Sequence, residues 1–225
     1  MEPITKRKST RSLLRTYLGD GPSEAVCNGS IRRGERTTLE AVVMFSDLRG
    51  FTALSDTESE EEIFDALNSY FDVVVQSVEE KGGDVLKFMG DGILSIFAIS
   101  APTDRADRCR QAAMAAREVL TGLAALNDSR AKAGKLPLDI GIGINAGQVS
   151  YGNIGSPGRL DFTVLGAAVN VASRIEGLTK SIGDRVLATA SVARQSSDLF
   201  EARGRHSVRG LTSPVEIFGL LEPSS

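Results

Sequence analysis

The stretch Ala41-Val42-Val43-Met44-Phe45-Ser46-Asp47-Leu48-Arg49-Gly50-Phe51-Thr52, read with Lys87-Phe88-Met89-Gly90-Asp91-Gly92, decides the fold. A short apolar run, rich in β-branched residues and bounded by turn residues, reads as a buried strand over 41–45. Asp47 then stands at the end of that strand, and Gly50 leaves the backbone free to approach a ligand. In the second segment, alternation puts Val85, Lys87 and Met89 on one face and Leu86 and Phe88 on the other. It turns at Asp91-Gly92 into Ile93-Leu94-Ser95-Ile96-Phe97, and Asp-Gly between such runs is a strong hairpin signal. If both segments lie in one sheet, Asp47 and Asp91 meet at one edge. Two carboxylates there repel each other, and a divalent metal pair is the economical remedy.

The chain has 225 residues, 41% hydrophobic and 24% charged, which suits one globular domain with appendages. Its net charge of −3 gives no basic field, so nucleic acid is not an expected partner. Cys27 and Cys109 lack metal-ligand spacing and read as two reduced thiols of a cytoplasmic protein. A His-ligated zinc site or a Ser-His-Asp triad would rest on His206 alone, far from every other informative residue. No apolar run reaches membrane-spanning length. The basic run Lys6-Arg7-Lys8-Ser9-Thr10-Arg11 lacks the apolar stretch of a signal peptide. It reads as a solvated tail or the stub of a linker, with an acidic membrane surface as the other reading.

Residues 1–38 are therefore expected as a lead-in, with a short amphipathic helix over 12–18. Residues 39–221 form the folded domain, with the first strand from about Leu39, and 222–225 are a tail. After Phe51, Ser55 or Asp56 offers an N-cap, and Glu58, Glu60, Glu61 and Glu62 fill the first turn of a helix. That acidic cluster suggests a metal, but a capped, solvated helix start accounts for it better. Ile63, Leu67, Tyr70, Phe71, Val74 and Val78 form the buried stripe, and Gly82-Gly83 ends the helix. A hairpin over 84–98 follows, then a second helix from about Thr103 to Asp128. Pro137 opens a strand to Ile144, Asn145-Ala146-Gly147 turns it, and residues 148–155 return. The loop 156–159 precedes a strand over 160–165 and one helix from about Ala167 to Ser181. Short β and α pieces and a C-terminal hairpin, 200–208 with 215–221, complete the chain. The order gives an α+β fold with a ferredoxin-like βαββαβ core, helices on one face of a mostly antiparallel sheet, and an added C-terminal hairpin.

Phe45-Ser46-Asp47-Leu48-Arg49-Gly50-Phe51-Thr52 and Lys87-Phe88-Met89-Gly90-Asp91-Gly92 resemble the class III nucleotidyl cyclase catalytic domain. Gly141-Ile142-Gly143-Ile144-Asn145-Ala146-Gly147, Gly152-Asn153-Ile154-Gly155 and Asp161-Phe162-Thr163-Val164-Leu165-Gly166-Ala167-Ala168-Val169-Asn170-Val171-Ala172-Ser173-Arg174 match in kind and order, so the resemblance spans about 38–221. It implies an adenylate cyclase that turns ATP into 3′,5′-cyclic AMP and pyrophosphate with two divalent ions, Mg²⁺ or Mn²⁺. On the matching positions, Asp47 and Asp91 are the metal carboxylates, and the Leu48 carbonyl is an extra ligand. Lys87 and Thr163, seven residues before Asn170, read the base. Lysine only donates, which suits adenine N1 and opposes guanine N1; a hydroxyl donates and accepts, so Thr163 permits adenine without excluding guanine. Asn170 and Arg174, four apart on one helix face, are the transition-state pair.

Each of these residues also has a plain structural reading. Asp91 suits a turn, Asp47 a strand end, Thr163 a strand, and Lys87 a solvent-facing strand position. Asn170 and Arg174 could be a polar helix face, with Arg174 in a surface pair with Glu176. Gly166-Ala167 departs from the Gly-Asp of many relatives, from which a change in helix capping or loop stability, rather than a loss of activity, is expected. The resemblance further implies a head-to-tail homodimer with sites between subunits, and an upstream sensor or membrane domain if the chain is a fragment. Competing readings are a GTP-using cyclase and a catalytically silent cyclase-like domain for dimerisation or nucleotide sensing. A diguanylate-cyclase or polymerase-palm relative shares the core, but the hairpin lacks a Gly-Gly-Asp/Glu-Glu-Phe signature.

Overall fold

Strand β1, Arg36–Leu48, is paired along its length on one side and over most of it on the other. The computed structural model describes residues 36–156 and 158–221, with Cys27 and Gly34; the expected helix over 12–18 and the tail 222–225 lie outside the described residues. β1 starts at Arg36 rather than near Leu39, because its ladder with a later strand continues to the pair Arg36↔Gly152. Next come the short helix α1 (Phe51–Thr57), the long helix α2 (Glu60–Glu80) and the hairpin β2 (Asp84–Met89) with β3 (Gly92–Ile99). Helix α3 (Arg105–Lys132) leads to β4 (Ile140–Ser156) and β5 (Arg159–Leu165). The chain ends with α4 (Ala167–Glu176), α5 (Thr179–Ile182), β6 (Val186–Thr189), α6 (Ala190–Ala193), β7 (Phe200–His206) and β8 (Val215–Leu220).

The sheet runs β2-β3-β1-β4-β6-β8-β7, with β5 also paired to β4. Every pairing is antiparallel except β4 with β6. This is the expected α+β class, but helices cover both faces rather than one. Alternation along β1 sends Val42 and Met44 into the large core with α2 and α3, while Ala41 and Val43 meet Ala168 and Ala172 of α4.

Four local expectations change. The first concerns the cap. Ser55 and Asp56 belong to α1, and Ser59 caps α2 by accepting from the Glu62 backbone N–H at 3.2 Å. The acidic run is the expected helix start: Glu60, Glu61 and Glu62 fill the first turn of α2. Glu62 pairs with Arg130 at 3.0 Å and Lys135 at 2.5 Å.

The second is the face pattern of β2. The register slips between Val85 and Lys87, because Leu86 is an extra residue opposite Ser95 and Leu94. Val85 therefore packs on the large core and Phe88 stacks on Phe71 of α2, ring centroids 4.7 Å apart, while Leu86 packs on the α4 side. The third is the turn at 145–147. β4 is one strand through Asn145-Ala146-Gly147, because these residues pair with Val43, Val42 and Ala41 and the Asn145 amide is bound by buried partners instead of capping a turn. The last is the helix from Ala167, which breaks at Gly177 into α4 and α5. The second long helix, the C-terminal hairpin and the 156–159 connection stand close to where they are expected.

The Lys135 hydrogen bond, opposed by burial and aided by the charges of Lys135 and Arg130, holds the Glu62 carboxyl below its ordinary value of 4.5. A carboxyl lowered in the folded state adds stability above its unfolded value and loses it as pH falls through the folded one. We therefore expect the melting temperature to fall on acidification below about 4.5. Thermal denaturation of Glu62→Gln should show a lower melting temperature at pH 7 and a flatter fall in acid.

Candidate active site

Asp47 closes β1 beside the β2–β3 turn. Ser46 is opposite Ile93, so Asp47 faces Gly92, and a Cβ at Gly92 would sit 3.1 Å from Asp47 Oδ1. Asp91 stands in that turn, half-buried. Burial first, and then the charge of Asp91, push the Asp47 carboxyl up from 3.8 to about 6. The sheet therefore brings together the two carboxylates that the sequence pairs, and the charge of Asp91 is the smaller contribution to that rise. Leu48 follows with its side chain buried. Two carboxylates and a backbone carbonyl are hard oxygen donors and fit Mg²⁺ or Mn²⁺.

A third carboxyl escaped the sequence reading. Burial first, then Asp47, pushes Glu176 up from 4.5 to about 7; Arg49 acts against the rise and Asp91 adds to it. The plain alternative, a surface pair of Glu176 with Arg174, is not formed: no ion pair joins them among the described residues. The Glu176 carboxylate packs against β4, where a Cβ on Gly141 would sit 2.3 Å from Glu176 Oε1. The signal was the Gly141/Gly143 alternation, which marks a strand face that a helix approaches closely. Arg49 is held by Asp139 at 3.1 Å and donates to the Asp184 carbonyl at 2.8 Å, which fixes the chain just after Asp47.

Lys87 is partly exposed, with 36% of its side chain open to solvent. The bulge at Leu86 turns it toward β5, where it forms an ion pair with Asp161. Thr163 is two residues farther along β5, on the same face and opposite Gly152. Asn170 and Arg174 ride on α4. Asn170 is exposed, and Arg174 lies against the β7–β8 loop, where a Cβ on Gly210 would sit 2.9 Å from its Nη1. Gly166 is the N-cap of α4 and Ala167 its first residue, with no side-chain cap.

Two contacts set the position of α4. A Cβ on Gly143 would lie 2.1 Å from the Ala172 carbonyl and 2.4 Å from the Glu176 nitrogen, so only glycine permits this approach. The buried Asn145 amide donates to the Ala168 carbonyl at 3.1 Å and accepts from Thr189 at 2.8 Å and Ser191 at 3.2 Å. His206, by contrast, bonds the Arg203 carbonyl at 2.8 Å within the C-terminal hairpin.

Residues 35–222 match the family model described as the adenylate and guanylate cyclase catalytic domain. The chain belongs to that family. This cyclase domain is 38% identical over 172 residues to an adenylate cyclase of Anabaena cylindrica, covering 75% of this chain and 33% of the relative. It is 32% identical over 182 residues to adenylate cyclase 1 of Rhizobium meliloti, covering 80% and 27%. The cyclase domain thus spans about a third or less of these relatives. Among solved structures it is similar to the adenylyl cyclase CyaB from P. aeruginosa (TM-score 0.71, 28% identity, 84% of this chain and 97% of that one). It is also similar to the guanylyl cyclase Cya2 (TM-score 0.73, 33% identity, 86% and 96%). No helix among the described residues is long and apolar enough to cross a membrane.

Gly143→Ala should force α4 off the sheet at a cost of about 1–3 kcal/mol. Asn145→Ala, which strands buried partners, should cost about 2 kcal/mol. Thermal denaturation should show losses of about 4–8 °C for a domain of this size at the 2 kcal/mol level.

Proposed function

We propose that the domain is an adenylate cyclase that converts ATP to 3′,5′-cyclic AMP and pyrophosphate, at sites shared across a head-to-tail homodimer. The observation that carries the reading is the pairing of Asp47 with Asp91 at one sheet edge in a chain that also carries Lys87, Thr163, Asn170 and Arg174. Asp47, Asp91 and the Leu48 carbonyl would hold two divalent cations, Mg²⁺ or Mn²⁺, which supply Lewis acidity at the ribose hydroxyl and the triphosphate. In the reaction the 3′-oxygen bonds to the α-phosphorus, the bond to the β,γ-diphosphate breaks, and the hydroxyl proton leaves.

Lys87 donates to adenine N1, and Thr163, on the same face of β5 as the Lys87 partner Asp161, is the second base contact. Asn170 orients the ribose, and Arg174 offsets charge developing on the phosphoryl oxygens, where a fixed cation acts on the transition state. Arg174 makes no ion pair with a described residue, so its charge remains available for a ligand. In the dimer, Asp47 and Asp91 come from one protomer, and Lys87, Thr163, Asn170 and Arg174 from the other. Two equivalent sites follow, and the monomer is inactive. The relatives' greater length fits an upstream sensor or membrane domain that biases this dimer.

A second reading, use of GTP, rests on Thr163, whose hydroxyl does not exclude guanine. The purified domain should be assayed with ATP and GTP, each with Mg²⁺ or Mn²⁺, across protein concentrations. Cyclic AMP whose specific activity rises with concentration is expected. Asp47→Ala and Arg174→Ala should each abolish it, and mixing the two should restore part of it. Cyclic GMP as the main product would reverse the base assignment; no product from either nucleotide would point to a silent, nucleotide-sensing domain.

A further inference from the structure

We infer that Asp161 is a base-specificity residue: it holds Lys87 in place and accepts a hydrogen bond from the amino group of adenine. The inference rests on the reading of Lys87 as the adenine contact and adds a residue to it. Three observations carry it. First, Lys87 reaches across from β2 to Asp161 on β5, two strands not adjacent in the sheet, so the pair bridges a gap and is not a by-product of strand pairing. Second, the contact depends on the bulge at Leu86, without which Lys87 would take the opposite face of β2. Third, Asp161 and Thr163 are alternate residues of β5 and share its face, about 7 Å apart along the strand.

The donor and acceptor inventory then assigns the roles. Adenine presents an acceptor at N1 and a donor at its amino group; guanine presents a donor and an acceptor at the matching places. Lys87 supplies only donors, and Thr163 supplies either sense. An ionised carboxylate is acceptor-only, with two oxygens. Asp161 spends Oδ2 on Lys87, and its side chain is 54% exposed, which leaves Oδ1 open to a ligand. Next to Lys87 it accepts from the adenine amino group and repels the guanine carbonyl. The pair thus offers a donor and an acceptor together, in the sense that matches adenine and opposes guanine at both atoms. Thr163 alone does not provide this opposition.

The ion pair also limits Lys87. A free lysine side chain samples many rotamers, and an exposed pair is weak by itself. Its effect is on position: the ammonium is held at the β5 face before the base arrives, so less ordering is left to binding.

The test compares Asp161→Asn, Asp161→Ala and Asp161→Glu with Lys87→Ala in the same protein. Turnover of ATP and GTP is measured alongside displacement of a fluorescent nucleotide analogue by each, which reads binding even without turnover. Asp161→Asn and Asp161→Ala should weaken ATP binding about tenfold, raise KM for ATP with little change in kcat, and reduce the preference for ATP over GTP by tenfold or more, about 1.4 kcal/mol. Asp161→Glu should recover most of the preference. An ATP/GTP ratio within twofold of the parent in Asp161→Asn and Asp161→Ala overturns the inference. So does an equal loss for both nucleotides with a lowered melting temperature, since a purely structural role predicts that. If Lys87→Ala leaves the ratio unchanged, the base-reading role of Lys87 itself falls, and the Asp161 variants then have nothing to act through. If Lys87 matters and Asp161 does not, only the present inference fails.

Discussion

Everything in this domain hangs on the backbone ladder between β1 and β4. Thirteen residues of β1 pair without a break from Arg36↔Gly152 to Leu48↔Ile140. The ladder puts Asp47 at the rim, and it presents Gly141 and Gly143 to α4. A helix can sit that close to a strand only where side chains are missing, and β4 omits them at those two positions. The close approach then carries Asn170 and Arg174 with the helix and brings Glu176 into the field of Asp47. Fold and site are thus one arrangement.

The charge pattern follows the same logic. Asp47 is half-buried beside a second carboxylate, and Glu176 is half-buried beside both. Desolvation and like charge both disfavour ionisation of these two carboxyls. Arg49 is the nearby counterweight, but its guanidinium is engaged by Asp139 and the Asp184 carbonyl. Carboxyls shifted by burial and like charge cluster at functional sites.

Much of the fold was legible because long periodic segments carry their own signal. The stripe of α2, the approximate extent of α3 and the β2–β3 hairpin all come from local pattern. What stayed hidden depended on partners distant in the chain. Asn145-Ala146-Gly147 has turn composition, yet it stays extended because β1 offers it a ladder and Ala168, Thr189 and Ser191 bind its amide. The bulge at Leu86 cannot be read from alternation, because one extra residue inverts the phase of everything after it. The partners of Lys87 and Glu176 were missed for the same reason: Asp161 and the face of β4 come near only after the sheet forms.

The placement of β1 also bears on how the chain reaches this state. Its neighbours β3 and β4 come from parts of the sequence roughly fifty and a hundred residues later, so both of its edges wait on long loop closures. During synthesis β1 can join α2, β2 and β3 first, while the edge that awaits β4 stays bare. That edge carries Ala41-Val42-Val43-Met44-Phe45, an apolar run able to pair with another chain. The strand that orders the finished domain is therefore also open to aggregation until β4 has been made.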